Sequence, residues 1–200
     1  GGNIWIRQLT DDIDVVGILQ DGNNGDITLE NLDGTINVLS SGSGVVADGT
    51  GDITLTAFGT ESDININNDV TSEGGEIGIV AERNVNITDG TVETTGDGSI
   101  DIVAGENVIV ANSRIATEDG TLDIASENIY ILDQSNVQSG DGTITLDTGS
   151  AGDIHVGGDS EVNSDTGDIY LYAINIVLGD ETGYGDVYSS DSGNVSLSAD

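Results

Sequence analysis

Three aspartates recur at a constant interval, each just ahead of a glycine: Asp97-Gly98, Asp119-Gly120 and Asp141-Gly142, 22 residues apart. Carboxylates repeated in this way are candidate ligands for a hard cation. Ca2+ takes about six to eight oxygens and recruits turn carbonyls alongside carboxylates. No EF-hand loop and no tandem Gly-Gly-x-Gly-x-Asp nonapeptide accompanies them. Asp97, Asp119 and Asp141 therefore stand as weak metal candidates, against the simpler reading of exposed corners that attract diffuse counterions.

A second group is apolar and aromatic. Ile109, Tyr130 and His155 hold the same place in three successive repeats, with Tyr170 and Tyr172 nearby in sequence. Aromatic side chains on a polar surface can stack on sugars or seat a partner protein. Single exposed aromatics are also ordinary surface residues. His155 is the only histidine and there is no cysteine, so a transition-metal site cannot be completed. The three basic residues, Arg7, Arg83 and Arg114, fall in separate repeats and are not expected to converge on a substrate carboxylate. No catalytic residue and no cofactor is assigned. Asn86-Ile87-Thr88 and Asn194-Val195-Ser196 fit the N-glycosylation pattern and read as strand residues that happen to match it.

The elements that carry these residues follow from a phrase restated nine times, a glycine followed by two aliphatics that flank one exposed position. It runs from Gly2-Asn3-Ile4-Trp5-Ile6 to Gly193-Asn194-Val195-Ser196-Leu197, at intervals of 23, 26, 24, 23, 22, 22, 25 and 26 residues. A second alternating pair follows, as in Asn84-Val85-Asn86-Ile87 and Asn107-Val108-Ile109-Val110. A third signal is an aliphatic with Ser or Thr two residues on, as in Val70-Thr71-Ser72 and Val137-Gln138-Ser139. Period-two alternation means strands, and the Gly, Asn, Asp and Ser between them mean tight turns. Like residues at a constant period favour parallel stacking of each repeat on the next. The fold class is thus all-β: a parallel β-helix, or β-solenoid, of about eight rungs of 22–26 residues with three short strands each. Absence of proline agrees, since wall N–H groups must donate to the adjacent rung.

Stacking converts each position into a column. The exposed column of the first strand reads Trp5, Thr28, Thr54, Gly78, Asp101, Asp123, Thr145, Tyr170, Ser196. That of the second reads Asp14, Asn37, Asn65, Asn86, Ile109, Tyr130, His155, Asn175. The rung glycines and the corner asparagines Asn84, Asn107 and Asn128 carry structural roles. Residues 1–200 read as one continuous segment without caps, an excerpt of a longer protein.

Composition narrows the partners. With 37 acidic residues against three basic ones the net charge is −34. Nucleic-acid affinity rests on Lys and Arg neutralising phosphates, so nucleic acid is not an expected partner. No apolar run is long enough for a transmembrane helix, so membrane insertion is not expected.

Gly51-Asp52-Ile53-Thr54-Leu55-Thr56-Ala57, then Asp63-Ile64-Asn65-Ile66, then Val70-Thr71-Ser72-Glu73-Gly74-Gly75 resembles the repeat region of filamentous-haemagglutinin-type exoproteins. Gly75 to Gly98, with Ala81 and Asn84-Val85-Asn86-Ile87, is equally similar. The likeness covers essentially the whole chain, while acidity and the lack of lysine depart from it. The resemblance implies a right-handed β-helical shaft of a large secreted bacterial adhesin, extracellular or on the cell surface. The expected role is structural, with neighbouring domains of the same longer chain as partners. The alternatives are a subunit that associates end to end into filaments, and a Ca2+- or glycan-binding module that meets host glycans or proteins.

Overall fold

The computed structural model describes residues 2–22, 24–150, 152–179 and 183–199. Its strands form three sheets, and each successive rung adds one strand to each. The first sheet stacks nine strands, beginning at Ile4–Gln8 and ending at Val195–Ala199. The second and third hold eight each, starting at Ile13–Val15 and Gly17–Gln20. All strand pairings are parallel. The chain is a parallel β-solenoid of about eight turns, and no described residue is helical.

Alternation dictates what each strand buries. In the rung that starts at Gly75, Ile77 and Ile79 enter from the first strand, Val85 and Ile87 from the second, and Val92 from the third, each at most 1% exposed. Stacked Ile, Leu and Val columns of this kind make one continuous aliphatic core. The turn from first to second strand admits only small inward residues: Ala57, Ala81, Ala104 and Ala173, with Asn31 and Thr148 on other rungs. Buried Asn31 repays its desolvation by donating to the carbonyls of Asp11 (2.9 Å) and Thr35 (3.2 Å).

The third strand ends on the inward Ser/Thr foreseen from sequence. At Ser72 and Ser164 that hydroxyl closes the turn back to the first strand. Ser72 Oγ accepts from the N–H of Gly75 (2.9 Å) and donates to the carbonyl of Gly51 one rung away (2.9 Å). The glycine that follows has no alternative. A Cβ on Gly142 would lie 1.9 Å from the carbonyl oxygen of Gly120, and one on Gly167 would lie 1.9 Å from that of Gly142. At the second-to-third corner Asp89, Asn112, Asp133 and Asp159 adopt φ between 50° and 60°, a left-handed geometry that short Asx side chains tolerate.

One detail differs from the sequence reading. The exposed column of the second sheet ends at Val177, which pairs with His155, not at Asn175. Asn175 pairs with Asp153 and is the corner residue of its rung. The run Ile176-Val177-Leu178 lacks alternation, so its phase is set only by stacking.

Candidate functional site

Side chains on the outside bond mainly along columns, rung to rung. On the second sheet the Asn37 amide donates to Asp14, Asn65 to Asn37, and Asn86 to Asn65, each at 2.9 Å. A parallel ladder runs along the corner: Asn84 to Asp63 (3.0 Å), Asn107 to Asn84 (2.8 Å), Asn128 to Asn107 (3.1 Å) and Asn175 to Asp153 (2.7 Å). An amide carries both donor and acceptor, so identical residues stacked at rung spacing satisfy one another. This assigns a physical task to the corner asparagines.

The arginines act as staples between rungs. Arg83 grips Asp63 through Nε (2.8 Å) and Nη2 (2.7 Å) and reaches Glu61 through Nη1 (2.7 Å). Arg7 pairs with Glu30 at 3.5 Å, and Arg114 pairs with Glu93. Burial alone would raise the Asp63 carboxyl, but hydrogen bonds from Arg83 and Asn84 and the guanidinium charge outweigh it and hold it low. The guanidinium of Arg83 is correspondingly pushed up, chiefly by its bond to Asp63. A carboxyl lowered on folding adds stability above its ordinary value of 3.8 and loses it as pH falls through the folded value. Arg83→Gln is therefore expected to lower the melting midpoint at pH 7 by a few degrees. It should also flatten the acid-side loss of stability below pH 3.8, as read by melts across pH.

Asp97, Asp119 and Asp141 lie exposed on successive turns, each just before a stacked glycine. In the next rung Thr166 takes their place and donates to Asp141 Oδ1 at 2.8 Å. Among the described residues no group of three or more His, Asp or Glu converges to hold a metal ion. Ile109, Tyr130 and His155 are consecutive partners in the second sheet. Tyr170 and Tyr172 project from the first sheet, their rings 6.1 Å apart and 4° from parallel. The five residues thus form two groups on different sheets. Tyr170 donates to Asp168 (3.0 Å), which raises the phenol. The same carboxylate accepts from the backbone N–H of Asn194 and from Tyr170 and is held low.

Sequence reasoning passed over one feature of the first sheet. A groove of about 380 Å3 has Gly78 as its floor, with Asp52, Thr54, Glu76, Ser99 and Asp101 on its rim. Thr54, Gly78 and Asp101 are consecutive partners in the exposed column. Burial, and then the carboxylate of Asp123 beside it, push the Asp101 carboxyl up. The signal was present in the sequence, as the one glycine in an exposed column otherwise filled by side chains.

No family model matches the chain, and no curated protein or solved structure does so either.

Proposed function

We propose that this segment is a spacer: a stretch of β-solenoid shaft in a large exported, adhesin-like protein of the filamentous-haemagglutinin type, working outside the cell. The observation that carries the reading is the unbroken register of three parallel sheets over about eight turns. Such a ladder resists extension through rows of backbone hydrogen bonds, and its length scales with rung number. Outward side chains are spent on bonding adjacent rungs, as the amide ladders and arginine staples illustrate.

Single-molecule pulling tests the mechanical role. Extension should release one rung at a time, each adding roughly 70–85 Å of contour from 22–26 residues. Release of the whole length in one low-force event would refute a load-bearing shaft. Filaments in sedimentation would instead favour the end-to-end subunit, and signal on a glycan array the binding module.

A further inference from the structure

Gly78 is the only glycine that lies inside a described strand rather than at its start or in a turn. Packing does not require it. A Cβ built there meets nothing within 4 Å, in contrast to the rung glycines, whose Cβ would strike a carbonyl. Nor does conformation require it, since its φ lies outside the left-handed range. A glycine in a strand interior costs about 0.5–1 kcal/mol relative to alanine. The chain keeps an empty place where every other rung of that column has a side chain other than hydrogen. Glycine in a strand interior often marks a bulge, a tight bend, or a place where a ligand or another backbone comes close.

The rim defines what approaches. Asp52, Glu76 and Asp101 surround the floor, and the side chains of Glu76 and Asp101 take no hydrogen bond from the described residues. The carboxylates are spread along the rim and do not converge on a point, which suits an extended planar cation better than a metal ion. The wider field has the same sign. A net charge of −34 spread over about eight rung steps, or ~38 Å, gives one charge per ~1.1 Å. Duplex DNA carries one per about 1.7 Å. Basic segments are therefore drawn to the rod in general, and the notch supplies a fixed place on it.

We propose that the Gly78 notch receives an arginine side chain from a basic segment of a partner protein lying along the outer face of the first sheet. The guanidinium plane rests on the glycine floor. Its fork donates to Asp101 and Glu76 on the rim, and Thr54 closes the far side. Lysine, a hydrated point charge on a flexible stem, lacks the planar fit. This inference is independent of the shaft role and survives if that role fails.

The test titrates a hexa-arginine peptide into the protein, with calorimetry and backbone amide spectra at 50 and 200 mM salt. Shifts are expected first at residues 53–55, 77–79 and 100–102, with hexalysine several-fold weaker. Gly78→Thr fills the notch and should weaken hexa-arginine at least tenfold while leaving the melting midpoint unchanged or raised. Wild-type affinity in folded Gly78→Thr, or shifts scattered over all corners, overturns the proposal in favour of diffuse attraction. If Gly78→Thr melts early, Glu76→Gln with Asp101→Asn decides, because it leaves the floor open. That pair should weaken binding far more than Glu127→Gln with Asp133→Asn, which removes equal charge elsewhere. Equal effects of the two pairs overturn the proposal.

Discussion

Ile102→Asp is expected to split the solenoid at its centre. Ile102 is completely buried, and it pairs with Ile79 on one side and Ile124 on the other. Truncating a buried isoleucine costs about 2–5 kcal/mol. A carboxylate forced into an aliphatic column with no partner adds several more. The sum, at least about 5 kcal/mol, rivals the whole stability of an ordinary domain. A solenoid loses this locally, since each rung contacts only its neighbours. Hydrogen exchange should show lost protection around 100–125, with both flanks retained, and the melt should broaden or divide. Val80→Asp, on an outward position of the adjacent strand, should stay within about 0.5 kcal/mol of wild type. A wild-type melt for Ile102→Asp would reverse the inward and outward assignment of the first sheet.

Gly142→Ala is expected to have the second-largest effect, from a single methyl group. Its Cβ would sit 1.9 Å from the carbonyl oxygen and 2.5 Å from the carbonyl carbon of Gly120, and 2.9 Å from Ser139 Oγ. Two of these three atoms are backbone, so relief requires separation of the rungs. Overpacking commonly costs about 1–3 kcal/mol, and this contact with a rigid wall belongs at or above the upper end. The midpoint should fall by several degrees, and the Ser139 hydroxyl contact to Gly120 should be lost. Gly149→Ala is the useful contrast. That Cβ meets nothing, but φ is +63°, so its cost is conformational alone, about 1–2 kcal/mol. Equal effects at the two positions would show that stacking contact is not what conserves space at Gly142.

The core columns were legible because strand alternation and a near-constant period act together. Ile53, Ile77, Ile100 and Leu122 each follow their glycine at the same offset, so stacking like on like had one solution. The hydroxyls of Ser72 and Ser164 were visible as a pattern, but their closure of the turn depends on a three-dimensional corner. Val177 was misplaced because apolar neighbours on both sides remove the alternation. Arg83 and Asp63 are 20 residues apart, and their contact depends on how corners of unequal length lie over one another. The aromatic residues were chosen by chemical type, and sheet membership divides them. Gly78 was written into its column, yet its meaning rests on the empty space above it, which spacing alone does not reveal.

Strands in this coil keep their offsets, whereas the connecting bends absorb every difference between a 22- and a 26-residue circuit. The consequence concerns how such a gene can change. Removing residues 98–119 as a block excises one full circuit and lets Gly75 meet Gly120 as it formerly met Gly98. Loss of one residue within 100–104 instead turns every later side chain of that strand inside out. Lengthening by duplicated circuits is therefore the open evolutionary path.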